Sequence, residues 1–129
     1  MEHYTQATAA LGLTLGPEGN VSSLARRGIF STVIPRLYDM GVTEHEVRLY
    51  LAHPEAGTLT ESDSLALLRL TQIVVISSKH FRSADEGLQW IRTPHAQLEG
   101  STPIAAAREE HRMEIVKRLL SSATRAEAS

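Results

Sequence analysis

Apolar residues recur at three- to five-residue steps over most of the chain, which is the spacing of one face of an α-helix. Over residues 22–40 this pattern is interrupted by Gly28 and Pro35, so the sequence predicts two short helices there. A further helix is predicted to begin at Thr43, whose hydroxyl can accept from a free backbone N–H while Glu46 reaches back. The first half of the chain is therefore expected to be helical.

Longer helical patterns follow in the second half. A helix is predicted from near Thr60 to Phe81, with Asp63 at the position that completes a second capping box. Its apolar residues point to most sides, which is typical of a central and mostly buried helix. A shorter helix is predicted to open at Ser83 and to stop before Pro94, because the residue before a proline avoids helical geometry.

The two ends of the chain carry weaker patterns. Residues 1–20 hold several glycines among small and polar residues, which predicts a loosely ordered tail with one short turn of helix at most. A final helix is predicted to start at Thr102 and Pro103 and to fray over residues 121–129. Its apolar stripe comprises Met113, Val116, Leu119 and Leu120. No segment shows the two-residue period of a strand, so the predicted fold class is all-α.

Composition narrows the class of protein. With 129 residues, 42% apolar and 22% charged, the chain is expected to form about one folded domain. It contains no cysteine, which excludes disulfides, thiolate metal sites and a cysteine nucleophile. Neither a membrane span nor a signal peptide is visible, so we expect a soluble protein of the cytoplasm.

The charge is unevenly divided along the chain. Residues 1–58 hold four basic and six acidic side chains, whereas residues 59–129 hold nine of each, and the formal net charge is −2. A protein that binds DNA usually presents a basic face, because neutralising phosphates supplies much of its affinity. The acidic balance of the first half therefore argues against a DNA-binding surface there.

Candidate catalytic chemistry is sparse. The six histidines are scattered, and no two lie three or four residues apart on one predicted helix face, so no metal site is expected. The glycines of residues 12–19 lack the lysine and hydroxyl residue that follow in a phosphate-binding loop. Residues 77–80 bring two hydroxyls, an amine and an imidazole together, but neighbours on a helix point in different directions. A binding protein is thus expected, and not an enzyme.

A specific set of positions runs through residues 59–120. The set comprises residues 59–64 and 67–70, Phe81, residues 90–94, Leu98, Gly100, residues 102–104, Val116, Leu119 and Leu120. In these positions the chain resembles the Xre/MbcA/ParS-type antitoxins, and the stretch from Trp90 to Pro94 is the most specific part of the likeness. The resemblance covers about half of the chain.

The resemblance implies an all-helical antitoxin that is typically a homodimer. It implies a reduced Xre-like helix-turn-helix region over residues 21–81 and a C-terminal toxin-binding domain over residues 82–129. The usual partner of such a protein is a RES-domain toxin that depletes NAD, and the antitoxin blocks access to the toxin's active site without being an enzyme itself. No cofactor is implied, and residues after Leu120 would face the toxin.

Two sets of site residues follow from the resemblance. Those expected to form the toxin-binding domain are Trp90, Pro94, Leu98, Gly100, Thr102, Pro103 and Arg125. The residues that would contact operator DNA are Thr43, His45, Arg48 and Tyr50. The chain is several residues shorter than the family between Gly41 and Leu59 and lacks the arginine-rich stretch expected there. A helix-turn-helix transcriptional regulator therefore stays open as the alternative to an antitoxin.

Overall fold

The structure is a computed structural model that describes residues 5–13 and 21–128. The helices of these residues are α1 (Thr5–Ala10), α2 (Val21–Arg27), α3 (Ile34–Asp39), α4 (Glu44–Tyr50), α5 (Glu61–Phe81), α6 (Ala84–Ile91), α7 (Pro103–Ala106) and α8 (Glu110–Ala128). Short 3-10 turns lie at Ser31–Val33 and Ala96–Leu98. The described residues contain an isolated β-bridge between Phe30 and Thr58 but no strand. The predicted all-α class is confirmed.

The chain divides into two compact units, residues 1–72 and residues 73–129. The division falls inside α5. The domain boundary between residues 81 and 82 is what the resemblance implies, and it stays a prediction. The last turns of α5 pack closely with α6 at Gly87, where an added Cβ would lie 2.7 Å from the Ser78 nitrogen and 2.8 Å from the Ser77 carbonyl carbon. Only glycine permits this approach, so the last turns of α5 and helix α6 pack tightly together within the second unit.

Helix α4 begins as the sequence predicts. The Thr43 hydroxyl accepts from the Glu46 backbone N–H at 3.2 Å, and the Glu46 carboxylate accepts from the Thr43 N–H at 2.9 Å. This pair of bonds satisfies two of the N–H groups that a helix start leaves free. The Glu46 side chain is buried as a result, although glutamate is usually exposed.

Helix α5 is capped by only half of the predicted box. The Thr60 hydroxyl accepts from the Asp63 N–H at 3.0 Å. The two carboxylate oxygens of Asp63, however, accept from the backbone N–H groups of Ala52 and His53, at 3.0 and 2.9 Å. The expectation that Asp63 completes the box is therefore wrong, because its carboxylate orders the chain that follows α4.

A short antiparallel contact connects α2 to the start of α5. Gly28 ends α2 with a φ of +87°, and after it Ile29 accepts from the Leu59 N–H at 2.8 Å while Ser31 donates to the Gly57 carbonyl at 3.0 Å. The buried Ile29 N–H donates to the Ser64 hydroxyl at 3.0 Å. We call residues 28–31 with residues 57–59 the strand-like clasp.

Helix α1 lies within the predicted N-terminal tail. Its residue Ala7 is buried and donates its backbone N–H to the Gln72 Oε1 atom of α5 at 3.1 Å. Leu11, just after α1, is also buried. The short turn of helix expected in residues 1–20 is thus α1, packed within the first unit, and residues 1–4 and 14–20 of that tail lie outside the described part of the chain.

The final helix of the sequence prediction is two helices. α7 ends at Ala106, and the next two backbone hydrogen bonds span three residues, as in a 3-10 helix. The Arg108 N–H donates to the Ala105 carbonyl, and the Glu109 N–H donates to the Ala106 carbonyl. α8 then runs to Ala128, so the fraying predicted for residues 121–129 is not seen up to Ala128. The alanine, arginine and glutamate of this stretch are good helix formers.

Over residues 5–13 and 21–128, none of the helices combines the length and the apolar character needed to cross a bilayer.

Candidate functional site

The candidate site is the segment that runs from the last residues of α6 to the first residue of α7 in the second unit, residues 90–103, which we call the site turn. The Ser83 hydroxyl caps α6 by accepting from the Glu86 N–H at 3.3 Å. After α6 ends, the Thr93 hydroxyl donates back to the Gln89 carbonyl at 2.7 Å. Pro94 follows, where the sequence predicts the stop. The chain therefore enters the site turn in a defined direction.

The site turn is held by its own backbone. The His95 carbonyl accepts from the N–H groups of Leu98 and Gly100, both at 3.0 Å, and the His95 N–H donates to the Ser101 carbonyl at 3.1 Å. Glu99 and Gly100 both have positive φ, 56° and 83°, which lets the chain reverse in two residues. These bonds make the site turn a preformed surface.

Leu98 anchors the site turn to α8. Its side chain is buried, and its carbonyl accepts from the Arg112 Nη2 atom at 3.2 Å. The same guanidinium lies 3.4 Å from the Glu109 carboxylate. Arg112 is absent from the sequence-based set because its partner is fourteen residues away and no local pattern indicates the pairing.

The exit from the site turn is a helix start. The Thr102 hydroxyl accepts from the Ala105 N–H at 3.3 Å, and Pro103 occupies the first turn of α7 and is buried. Proline suits this position, because its missing N–H would have no partner there and its φ is already helical. The predicted helix start at these two residues is confirmed.

Three rings form a row along one side of the site turn. The Trp90 centroid lies 4.8 Å from that of His95 and 6.1 Å from that of Phe81. Both pairs are tilted, with interplanar angles of 47° for Trp90 and His95 and 40° for Trp90 and Phe81. Trp90 is half-buried and borders a cavity of about 320 Å³ that Glu86 and Gln89 also line. The Trp90 side chain is thus partly accessible from this cavity.

A second concave surface lies on α8. Ile115 and Leu119, one turn apart, line a groove of about 380 Å³ together with Gln97 and Arg118. The sequence placed Leu119 on one stripe with Leu120, but Leu119 is only half-buried here whereas Leu120 is buried. The four-residue step from Ile115 to Leu119 is the signal that indicates this second face.

The predicted toxin-binding residues fall into two groups. Leu98 and Pro103 are buried and Thr102 is a cap, so these three shape the site turn. Pro94 and Gly100 are exposed and Trp90 is half-buried. All six lie in the site turn. Arg125 belongs to the last turns of α8, and its side chain lies outside the described residues.

The predicted DNA-binding residues lie in the first unit, on α4 and its cap. Thr43 is exposed, but its hydroxyl is used as the cap of α4. His45 is exposed, and Tyr50 is half-buried. The Arg48 guanidinium lies 3.5 Å from the Glu44 carboxylate, so a nearby negative charge offsets the positive charge that would meet a phosphate.

The hydroxyl, amine and imidazole cluster of residues 77–80 shows no convergence. The Ser77 and Ser78 hydroxyls both donate to the Val74 carbonyl, at 3.0 and 2.9 Å, while Lys79 and His80 are exposed. Among the described residues, no group of three or more histidine, cysteine, aspartate or glutamate side chains is placed to hold a metal ion.

Comparison with known proteins identifies no family for this chain. The sequence matches none of the protein-family descriptions against which it was scanned, and a search of curated proteins finds no match either. The antitoxin resemblance therefore depends on the residues of the chain itself.

Proposed function

We propose that this protein is the antitoxin of a type II toxin–antitoxin system, which binds a RES-domain toxin and blocks the toxin's NAD-depleting active site. In this proposal it acts as a homodimer in the cytoplasm and has no catalytic activity of its own. The second unit makes the contact with the toxin, and the site turn forms part of that contact.

The observation that carries the proposal is the construction of the site turn. The residues with the most specific resemblance, from Trp90 to Pro94, stand at the start of a segment that is held by backbone hydrogen bonds and by Arg112. A surface ordered before binding loses little conformational entropy when a partner arrives. Trp90 is half-buried at the edge of a cavity, as is typical of the aromatic residues that dominate protein interfaces.

Co-expression with the neighbouring toxin tests the proposal. The reading frame next to this one should encode a RES-type toxin, and expressing that toxin alone should lower cellular NAD and stop growth. Adding the full-length chain should restore both, and the two proteins should co-purify. Unchanged NAD loss in the presence of a soluble, folded chain would rule the proposal out.

A matched pair of variants locates the contact. Trp90→Ala should abolish most of the neutralisation, because interface aromatics often contribute about 2 kcal/mol or more, roughly a thirtyfold change in affinity. Phe30→Ala removes an exposed aromatic side chain from the first unit and should leave neutralisation intact. A circular dichroism spectrum distinguishes loss of binding from loss of fold. The opposite ranking of the two variants would place the contact outside the site turn.

A helix-turn-helix regulator is the second candidate, and one observation favours it. Helices α3 and α4 are joined by residues 40–43, in which Gly41 has a φ of +98° and Thr43 caps α4. This is the connection that helix-turn-helix units use. A promoter fragment titrated at two salt concentrations tests it, because phosphate contacts weaken as salt rises. Absence of a specific, salt-dependent shift would eliminate the regulator.

A further inference from the structure

The first unit contains a groove that the proposed function does not use. It has a volume of about 250 Å³ and lies on α3 and α4, with Pro54 and Glu55 of the following turn along one side. We call it the α3–α4 groove. Small-molecule sites usually measure about 300–1,000 Å³, so this groove suits one protein side chain better than a metabolite.

The apolar wall of the α3–α4 groove is accessible. Tyr38 is 42% exposed and is one of two large apolar residues that the described chain leaves at the surface, the other being Phe30. Pro35 and Pro54 line the groove beside Tyr38. A tyrosine ring and two prolines that line one groove offer a long alkyl chain a rigid apolar surface, and a tyrosine ring offers a cation its negative face.

The charged rim of the groove is negative. Glu44, Arg48 and Glu55 line it, which gives two carboxylates and one guanidinium. Since Arg48 lies 3.5 Å from Glu44, the charge of Glu55 remains in excess. A phosphate backbone would be repelled here, whereas an arginine or lysine side chain meets both the aromatic face and a carboxylate.

From this complementarity we infer that the α3–α4 groove is a protein-docking site that receives an arginine or lysine side chain of a partner protein. The alkyl stem of that side chain lies against Tyr38, and its charge lies near Glu55. The region that the resemblance assigns to DNA thus contacts a basic protein segment. The inference does not depend on the antitoxin proposal, which concerns the second unit.

A peptide titration followed by nuclear magnetic resonance tests the inference. The ¹⁵N-labelled full chain is titrated with a capped alanine–arginine–alanine peptide and with the same peptide carrying uncharged citrulline. The arginine peptide should produce saturable shifts at the backbone amides of Tyr38, Arg48 and Glu55, and the citrulline peptide should bind more weakly. Equal binding of the two peptides, or no shift at these amides, overturns the inference.

Two variants and their controls sharpen the test. Tyr38→Ala and Glu55→Gln should each weaken binding of the arginine peptide about two- to fivefold. Phe30→Ala removes another exposed aromatic side chain and Glu99→Gln neutralises another exposed glutamate; neither residue lines the groove, so both variants should leave binding unchanged. Equal weakening by a variant and its control contradicts the inference.

Other occupants give different results in the same spectra. If a DNA duplex shifts the same amides and Arg48→Ala abolishes that effect, the groove belongs to nucleic acid and the inference is wrong. If raising the protein concentration alone shifts these amides and Glu55→Gln prevents it, a second copy of this chain is the occupant, and the inference is also wrong.

Discussion

Replacing Gly28 with alanine should destabilise the first unit strongly, for two separate reasons. The residue has a φ of +87°, a region that costs an L-amino acid about 1–2 kcal/mol. An added Cβ would also lie 2.6 Å from the Thr58 Cγ2 atom and 2.7 Å from the Leu59 carbonyl oxygen. Overpacking of this kind costs about 1–3 kcal/mol, so the free energy of unfolding should fall by about 2–5 kcal/mol.

Thermal unfolding followed by circular dichroism measures this loss. For a chain of this length, 1 kcal/mol corresponds to roughly 3–5 °C, so Gly28→Ala should melt at least about 6 °C below the unaltered protein. Two control substitutions at other glycines separate backbone strain from overpacking. Gly57→Ala adds a Cβ with nothing within 4 Å and should change stability by less than about 0.5 kcal/mol. Gly100→Ala also meets nothing but has a φ of +83°, so it should lose only the 1–2 kcal/mol or so of backbone strain. The reasoning fails if Gly28→Ala melts within about 2 °C of Gly57→Ala.

Three further changes test the polar contacts of the first unit. Asp63→Ala leaves two backbone N–H groups without their acceptor, so the free energy of unfolding in urea should fall by about 2–4 kcal/mol. Asp85→Ala, at an exposed position, should lower it by less than about 1 kcal/mol. Equal losses would contradict the role of Asp63. Gln72→Leu should raise amide hydrogen exchange at Ala7 about tenfold, because the acceptor for that N–H is lost; unchanged exchange would show that the bond contributes nothing. Thr43→Ala should lower the free energy of unfolding by about 0.5–2 kcal/mol, because the hydroxyl cap of α4 is lost. Thr43→Ser keeps the hydroxyl and should restore stability. A Ser variant as unstable as the Ala variant would exclude the cap as the cause.

Local chemistry made the helix starts predictable from the sequence. A capping hydroxyl and the backbone N–H that donates to it are three residues apart. The caps at Thr43, Thr60, Ser83 and Thr102 could therefore be identified without knowledge of the fold. The entry to and exit from the site turn follow from the same rules. These two ends of the site turn also carry part of the resemblance, and they are the best predicted parts of the candidate site.

Contacts between distant residues were not predictable. Asp63 accepts from backbone groups ten and eleven residues earlier, and the Arg112 guanidinium donates to a carbonyl fourteen residues away. Neither pairing leaves a periodic trace in the sequence. The division of the last predicted helix into α7 and α8 was missed for a related reason, since alanines favour a continuous helix and only packing decides where it tightens.

The strand-like clasp closes a loop of the chain that contains α3 and α4. The chain leaves at Ser31 and returns at Gly57, and these two residues are hydrogen bonded to each other at 3.0 Å. Closing a loop becomes only slowly more costly as the loop grows, so residues can be gained or lost inside it while both anchor points stay in place. The helices outside these two anchor points are therefore insulated from insertions and deletions inside the closed loop.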